Sequence, residues 1–331
     1  MLVTILPYFL AAQVAVDDTS RQSEWAMYGG ECTYDVFVMM SLSNITRADD
    51  NFCSSIKSEL KCRPKGQDSL SCHFQNSRIR HPGPEEGNCT NSMGSVPTRT
   101  RFIDEEPFEI RFDPRGIQNL VVHRTIPRWQ LDMIKVIVSQ LNIGFEVLER
   151  RDRFAIMENS TMGYCEVDVK FVHDSSEEND DDEHEDGSVE QGEKEGEDFE
   201  IQFMSTNNKP ARTLDEKFHV QKIREPTRCP RRTIYFFGNE GDYSRGNGEL
   251  YMDMTDSTSH IMITKNKFKS LTMSAGVMKM ANKSHVMRPH QNIVLKLKRI
   301  DLARNSPPEI QNPASTSLFA FSSLETIPED A

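Results

Sequence analysis

The sequence predicts a mainly β protein, an antiparallel β-barrel wrapped around one central α-helix, and three observations carry that prediction. Short runs rich in β-branched and aromatic residues recur along the 331-residue chain, at 31–42, 70–75, 107–112, 117–123, 153–157, 164–173, 199–204, 217–223, 233–237, 259–264 and 292–300. Gly, Pro and Asn punctuate them at short intervals, as in antiparallel sheets. One stretch, 127–144, breaks this pattern with a nearly continuous apolar surface at helical period. A separate feature is a tract at 174–198 that holds fourteen acids, one lysine and one apolar residue, Val189. It has no means of burying surface to offset its ordering entropy, so it reads as a disordered, solvated loop.

The first fifteen residues come first in chain order. Residues 2–15 are apolar, with small residues at Ala11, Ala12 and Ala15, and the polar stretch Asp17-Asp18-Thr19-Ser20-Arg21 follows at once. That pattern predicts a secretory signal peptide over 1–15 and therefore a secreted, extracellular product. The run is too short to span a bilayer, and no later segment is longer or more apolar, so no membrane span is expected. Seven cysteines follow, at Cys32, Cys53, Cys62, Cys72, Cys89, Cys165 and Cys229, none of them in a CxxC pair. In a secreted chain they read as disulfides, with one thiol left over or one intermolecular bridge. Sequons at Asn44, Asn88, Asn159 and Asn282 predict N-glycosylation and agree with that compartment.

In the run at 292–300, Leu295 and Leu297 alternate with Lys296 and Lys298, which places one apolar face inward and one charged face in water. Lys265, Lys267 and Lys269 repeat the same alternation. Within the helix, Pro127 suits the first turn and Gly144 the end. Asp132, Lys135, Ser139 and Asn142 share one narrow arc, and apolar side chains fill most of the rest. A helix of that kind is nearly engulfed and reads as a plug inside a barrel, the alternative being a helix between two sheets. The tail, 305–331, has four prolines among many Ser, Thr and Glu residues and reads as linker-like, although Leu318-Phe319-Ala320-Phe321 is apolar enough to dock.

The net charge of −12 is carried entirely by the acidic tract, which alone sums to −13. The rest of the chain is close to neutral, so the low isoelectric point says little about what the folded body binds. Asp180, Asp181, Asp182, Glu183, His184, Glu185 and Asp186 offer oxygen ligands but no fixed spacing, so they read as a solvated charge run and not as a metal site. No cofactor is expected. A nucleic-acid partner needs a denser basic stripe with interleaved aromatics and is not expected either. The chain contains no GxSxG, no HExxH and no glycine-rich phosphate loop, and its nine histidines are scattered. A binding module is the expectation, and an enzyme is not.

The order and spacing of several short stretches then matter together. Pro107-Phe108-Glu109-Ile110-Arg111-Phe112, Gly116-Ile117, Leu120-Val121-Val122, Ile126-Pro127-Arg128-Trp129 and Ile137-Val138-Ser139-Gln140-Leu141 resemble insect vitellogenins in their N-terminal lipoprotein domain. Met157-Glu158-Asn159-Ser160-Thr161-Met162-Gly163-Tyr164-Cys165-Glu166 resembles the strand that follows the central helix there. The likeness extends from about Trp25 to Ile300, which sets the expected barrel domain at 24–304, and is densest between Pro107 and Glu166. It departs at Gly30-Glu31-Cys32-Thr33-Tyr34 and in the cysteine-rich region 53–89. The resemblance implies the β-barrel that opens the large lipid-transfer proteins, lipid as cargo, and docking to a receptor of the low-density-lipoprotein type. It also implies a disulfide between Cys165 and Cys229, which bracket the acidic tract, while the pairing of the five earlier cysteines stays open. Such receptors read lysines with acidic, calcium-loaded modules, so Lys265, Lys267, Lys269, Lys296 and Lys298 are the expected receptor-binding residues; ordinary solubilising lysines would show the same alternation. The functional expectation is a secreted vitellogenin-like lipid transport protein, of which this segment is the receptor-docking barrel. The alternative is a stand-alone secreted interaction or regulatory protein that has lost the lipid cavity.

Because the acidic tract is read as burying nothing, deleting residues 175–198 is expected to leave melting temperature and secretion yield unchanged. A collapsed yield would show instead that the tract packs against the folded body.

Overall fold

The structure is a computed structural model. It describes residues 2–3, 10–14, 29–44, 52–66, 68–80, 99–100, 103–113, 115–145, 152–174, 199–204, 210–213, 217–237, 250–280 and 286–326. The acidic tract beyond Asp174 lies outside this set, as do Cys89, Asn88 and Asn282.

Among the described residues the chain forms one large antiparallel sheet, one smaller sheet and a single α-helix. The strands that carry the argument are β1 (Gly30–Asn44), β2 (Phe52–Pro64), β3 (Ser69–Arg80), β4 (Phe108–Asp113) and β5 (Gly116–His123), followed by α1 (Arg128–Val138). After the helix come β6 (Arg153–Ser160), β7 (Gly163–Asp174), β8 (Lys217–Arg224), β9 (Leu250–Ile263), β10 (Phe268–Met280), β11 (Val286–Leu302) and β12 (Pro313–Thr316). In space they run β6-β7-β8-β9-β10-β11-β1-β2-β3-β4-β5-β12, and Glu325–Thr326 pairs beyond β12. A smaller sheet joins Leu10–Val14, from the segment read as a leader, to Phe199–Met204, with Leu2–Val3 and Pro210–Thr213 outside them.

Alternation explains the strands. In β11, Ile293, Leu295 and Leu297 are buried while Lys296 and Lys298 face water. β2 is a strand that the hydropathy pattern hid, because two of its inward positions are serines. Ser54 and Ser58 are buried beside Ile56, Leu60 and Cys62, and Ser58 shares a 2.7 Å hydrogen bond with Ser77 on β3. The run at 233–237, predicted as a strand, joins no ladder among the described residues. Ile234, Tyr235, Phe236 and Phe237 are all buried, so the segment is covered on both sides, which alternation does not require.

The helix is engulfed more completely than its periodicity implied. Every residue from Gln130 to Val138 is buried, and so are the polar positions Asp132, Lys135 and Asn142. A 3₁₀ turn at Ser139–Leu141 continues the helix, the extended backbone of Asn142 ends it, and Gly144 lies two residues beyond with φ of +80°. Gln140 Oε1 accepts hydrogen bonds from Ser270 at 3.0 Å and Thr272 at 2.9 Å, both on β10. On another side, the segment after β12 covers the helix. Lys135 Nζ donates to the Phe319 carbonyl at 2.9 Å and to Ser322 Oγ at 2.7 Å, and the Phe321 N–H donates to Asp132 Oδ1 at 3.0 Å. Burial pulls the Lys135 pKa down to about 8 and pushes Asp132 up.

Two expectations need correction here. The tail read as linker-like is structured between Pro313 and Thr326: β12 extends the sheet beside β5, and Ala314, Leu318 and Ala320 are buried. Its apolar residues sit on the helix and offset the ordering of a proline-rich segment. The sheet also does not close as a barrel, because among the described residues no ladder joins β6 to β5 or β12. Side chains occupy the seam instead. The Ile117 N–H of β5 donates to Asn142 Oδ1 at 3.1 Å, and Asn142 Nδ2 donates to Glu158 Oε1 on β6 at 2.7 Å. Lys222 Nζ, from β8, donates to the Asn142 carbonyl at 2.7 Å and to Glu158 Oε1 at 3.0 Å, and Arg224 Nη2 lies 3.1 Å from Glu158 Oε2. Gly116 makes room for this contact: at φ of +115°, a Cβ there would sit 2.0 Å from Asn142 Oδ1.

Two disulfides join described residues, Cys62–Cys72 across β2 and β3 and Cys165–Cys229. Cys53 is disulfide-bonded as well. The odd thiol is Cys32, fully buried on β1.

Glu158 is fully buried, yet the adjacent Arg224 and Lys222 cations outweigh its desolvation and hold its carboxyl below the usual range. The stability it contributes is therefore complete above the unfolded carboxylate pKa of ~4.3 and is lost as pH falls through its lower folded value. Glu158→Gln, which strands two buried cations, is expected to destabilise by about 3–5 kcal/mol and to flatten this acid limb. Thermal melts between pH 3 and 7 check both; an acid limb that persists in Glu158→Gln would assign it to other carboxylates.

Candidate functional site

The outer face of the sheet carries the lysines singled out from the sequence, and strand register decides which of them meet. Lys269 on β10 lies directly opposite Lys296 on β11. Their outward neighbours in the same row are Met262 on β9 and Asp35 on β1, with Glu59 on β2 beyond. Like charges placed directly opposite are unfavourable. Lys265 and Lys267 stand at the β9–β10 turn, both exposed, with Lys265 3.9 Å from Glu200.

Lys298 is set apart from this group. A register shift between Leu297 and Arg299 on β11 displaces it, and its Nζ lies 3.0 Å from Glu59 Oε1 and 3.4 Å from Asp35 Oδ1. The hydrogen bond to Glu59 raises the Lys298 pKa, and the same bond lowers that of Glu59. Its charge is committed within the fold. The structure thus gathers Lys269 and Lys296 with the turn lysines into one cationic corner and removes Lys298 from it.

Beside the cationic row runs an apolar one, which the sequence pattern did not disclose because each strand contributes a single residue. Leu271, Val294 and Phe37 stand directly opposite one another on β10, β11 and β1, all half-exposed on the outer face. Met273 and Met39 flank them in the next row, on either side of Asn292, and Met273 is 39% exposed. At the end of the row the Lys57 ammonium lies 6.0 Å from the Phe37 ring centroid. On β8 and β9, His219 Nε2 and His260 Nδ1 are 2.9 Å apart, and burial followed by the charge of His260 pushes His219 down. The face therefore offers an apolar strip edged by ammonium groups, which suits a partner with carboxylates around a hydrophobic contact.

The remaining sites predicted from the sequence fall elsewhere. Cys165 on β7 is bonded to Cys229, just before Pro230. Asn44 ends β1 and Asn159 lies on β6 opposite Tyr164, both half-exposed. Among the described residues no group of three or more His, Cys, Asp or Glu gathers as a metal site, and no helix is long and apolar enough to cross a membrane.

Comparison with known proteins gives these surfaces a family. The Vitellogenin N-terminal domain model matches residues 33–298. A solved structure described as "Lipid-protein interactions in lipovitellin" superposes with a TM-score of 0.56 over 92% of this chain at 10% identity, which is a likeness of fold. This chain spans 28% of that lipovitellin chain. A further match, "Asymmetric conductivity of engineered proteins", has a TM-score of 0.21 at 6% identity, too low to carry an argument. With most of the sheet and the whole helix inside the matched range, the chain belongs to the vitellogenin N-terminal domain family.

Proposed function

We propose that this chain is a secreted, glycosylated lipid-transport protein of its family, or the opening portion of one, and that it acts as a binding module and not as an enzyme. Its docking surface is the outer face of β10, β11 and β1. The observation that carries the docking role is the opposition of Lys269 and Lys296 beside the half-exposed Leu271, Val294 and Phe37. The fold maintains an unfavourable charge contact next to apolar area that water covers poorly, and a carboxylate-bearing partner relieves both. A receptor of the low-density-lipoprotein type, with acidic, calcium-loaded modules, has that chemistry. Lipid is the cargo in this reading, supported by the membership of the family and by the lipovitellin fold.

Lys269→Gln combined with Lys296→Gln is expected to weaken binding to such a module about tenfold or more and to reduce its salt dependence, while the melting temperature is unchanged or rises. Lys298→Ala is expected to cost less binding, because that ammonium already holds Glu59. Equal losses from the two variants, measured by surface plasmon resonance at two salt concentrations, would overturn the assignment of the face. Organic extraction of the secreted protein is expected to release lipid and lower the native mass; a lipid-free monomer would count against the carrier role.

A further inference from the structure

The seam between the two ends of the sheet holds a cleft of about 840 Å³, within the range of ~300–1,000 Å³ usual for small-molecule sites. None of its lining residues belongs to the lysine face. Ile117 from β5, Ile156 and Met157 from β6 and Phe319 from the segment after β12 supply its apolar lining. Ile117 is 3% exposed and the other three are half-buried, so the lining grades from a dry floor towards an open mouth.

Two arginines line the same cleft. Arg115 sits in the β4–β5 turn with its side chain 82% exposed and 3.6 Å from Asp113, which also lines the site. Arg231 is exposed, and among the described residues no ion pair engages it. Its position is fixed by its neighbours: it pairs in register with Tyr164, and the Cys165–Cys229 bond anchors both strands one and two residues away. The neighbouring Arg232, by contrast, is committed to Asp253.

We infer that this cleft binds a single-chain amphiphile with an anionic head, a long-chain carboxylate or a lysophospholipid, whose alkyl chain lies along Ile117, Ile156, Met157 and Phe319 and whose head meets Arg231 and Arg115. The unpaired edges of the sheet explain why the cleft exists. Asn142 and Glu158 satisfy the buried end of the seam, and among the described residues no ladder covers its outer part. Apolar area left half-covered at a seam, under two cations at the mouth, is complementary to such a molecule and to neither a bare anion nor a neutral chain. The inference stands whether or not the lysine face docks a receptor.

The test is saturable binding of dansyl-undecanoic acid to the full secreted chain, delipidated first, followed by competition. Palmitate and lysophosphatidate are expected to displace the probe with one site per chain, and acetate, inorganic phosphate and hexadecanol to do so at least tenfold less well. Arg115→Glu with Arg231→Glu is expected to weaken binding at least tenfold with the melting curve unchanged, since both side chains are at the surface, whereas Phe37→Gln is expected to leave it intact. Absence of saturable binding overturns the proposal. So does displacement by hexadecanol as strong as by palmitate, by phosphate alone, or a loss seen in Phe37→Gln and not in the double arginine variant.

Discussion

The junction of Asn142 with Glu158 is the constraint on which the rest of the molecule depends. A large sheet that does not close exposes two rows of unpaired backbone groups, and such edges must be covered or satisfied. Asn142 reaches both sides of the gap: its side-chain oxygen takes the N–H of Ile117, its amide serves Glu158, and its carbonyl takes Lys222. For one side chain to do this, the helix must end at one position relative to three strands. A buried ionic cluster adds little net stability over an apolar core, but breaking it is costly, so its effect is to make alternative placements of the helix unfavourable.

Much of this architecture was legible in the sequence, and what was not has definite physical reasons. The helix was readable because its apolar surface and its Pro127 and Gly144 boundaries are local features, and the strands with alternating aliphatic residues were readable for the same reason. β2 was missed because Ser54 and Ser58 take inward positions that a hydrophobic pattern leaves blank; their partners, such as Ser77, are distant in sequence. β12 was read as linker because proline and serine dominate a segment whose few apolar residues do the docking. Closure of the sheet was beyond reach, since periodicity reports how much of a helix is covered and not whether the covering strands pair with one another.

The candidate surfaces divide in the same way. That Lys269, Lys296 and Lys298 point outward follows from alternation alone. That the first two face each other while the third is tied to Glu59 and Asp35 depends on inter-strand register and on one irregularity in β11. The apolar row and the seam cleft are assembled from residues far apart in the chain, one or two per element, and so leave no local signature. Both surfaces exist because the sheet is wide: one crosses its middle strands, and the other occupies the gap its ends leave.

The three cysteines Cys32, Cys62 and Cys72 occupy matching positions on consecutive strands, so the middle sulfur has a neighbour on either side and forms one bond. Cys62 is ten residues from Cys72 and thirty from Cys32. Closing the shorter loop is favoured by about 1 kcal/mol of chain entropy, so oxidation selects the local hairpin and leaves the long-range neighbour reduced. Burial then pushes the Cys32 thiol far up in pKa, which starves it of thiolate and blocks exchange with the bond beside it. An odd cysteine, which among disulfides invites dimerisation through thiol exchange, is here sealed inside the sheet by the order in which its neighbours pair.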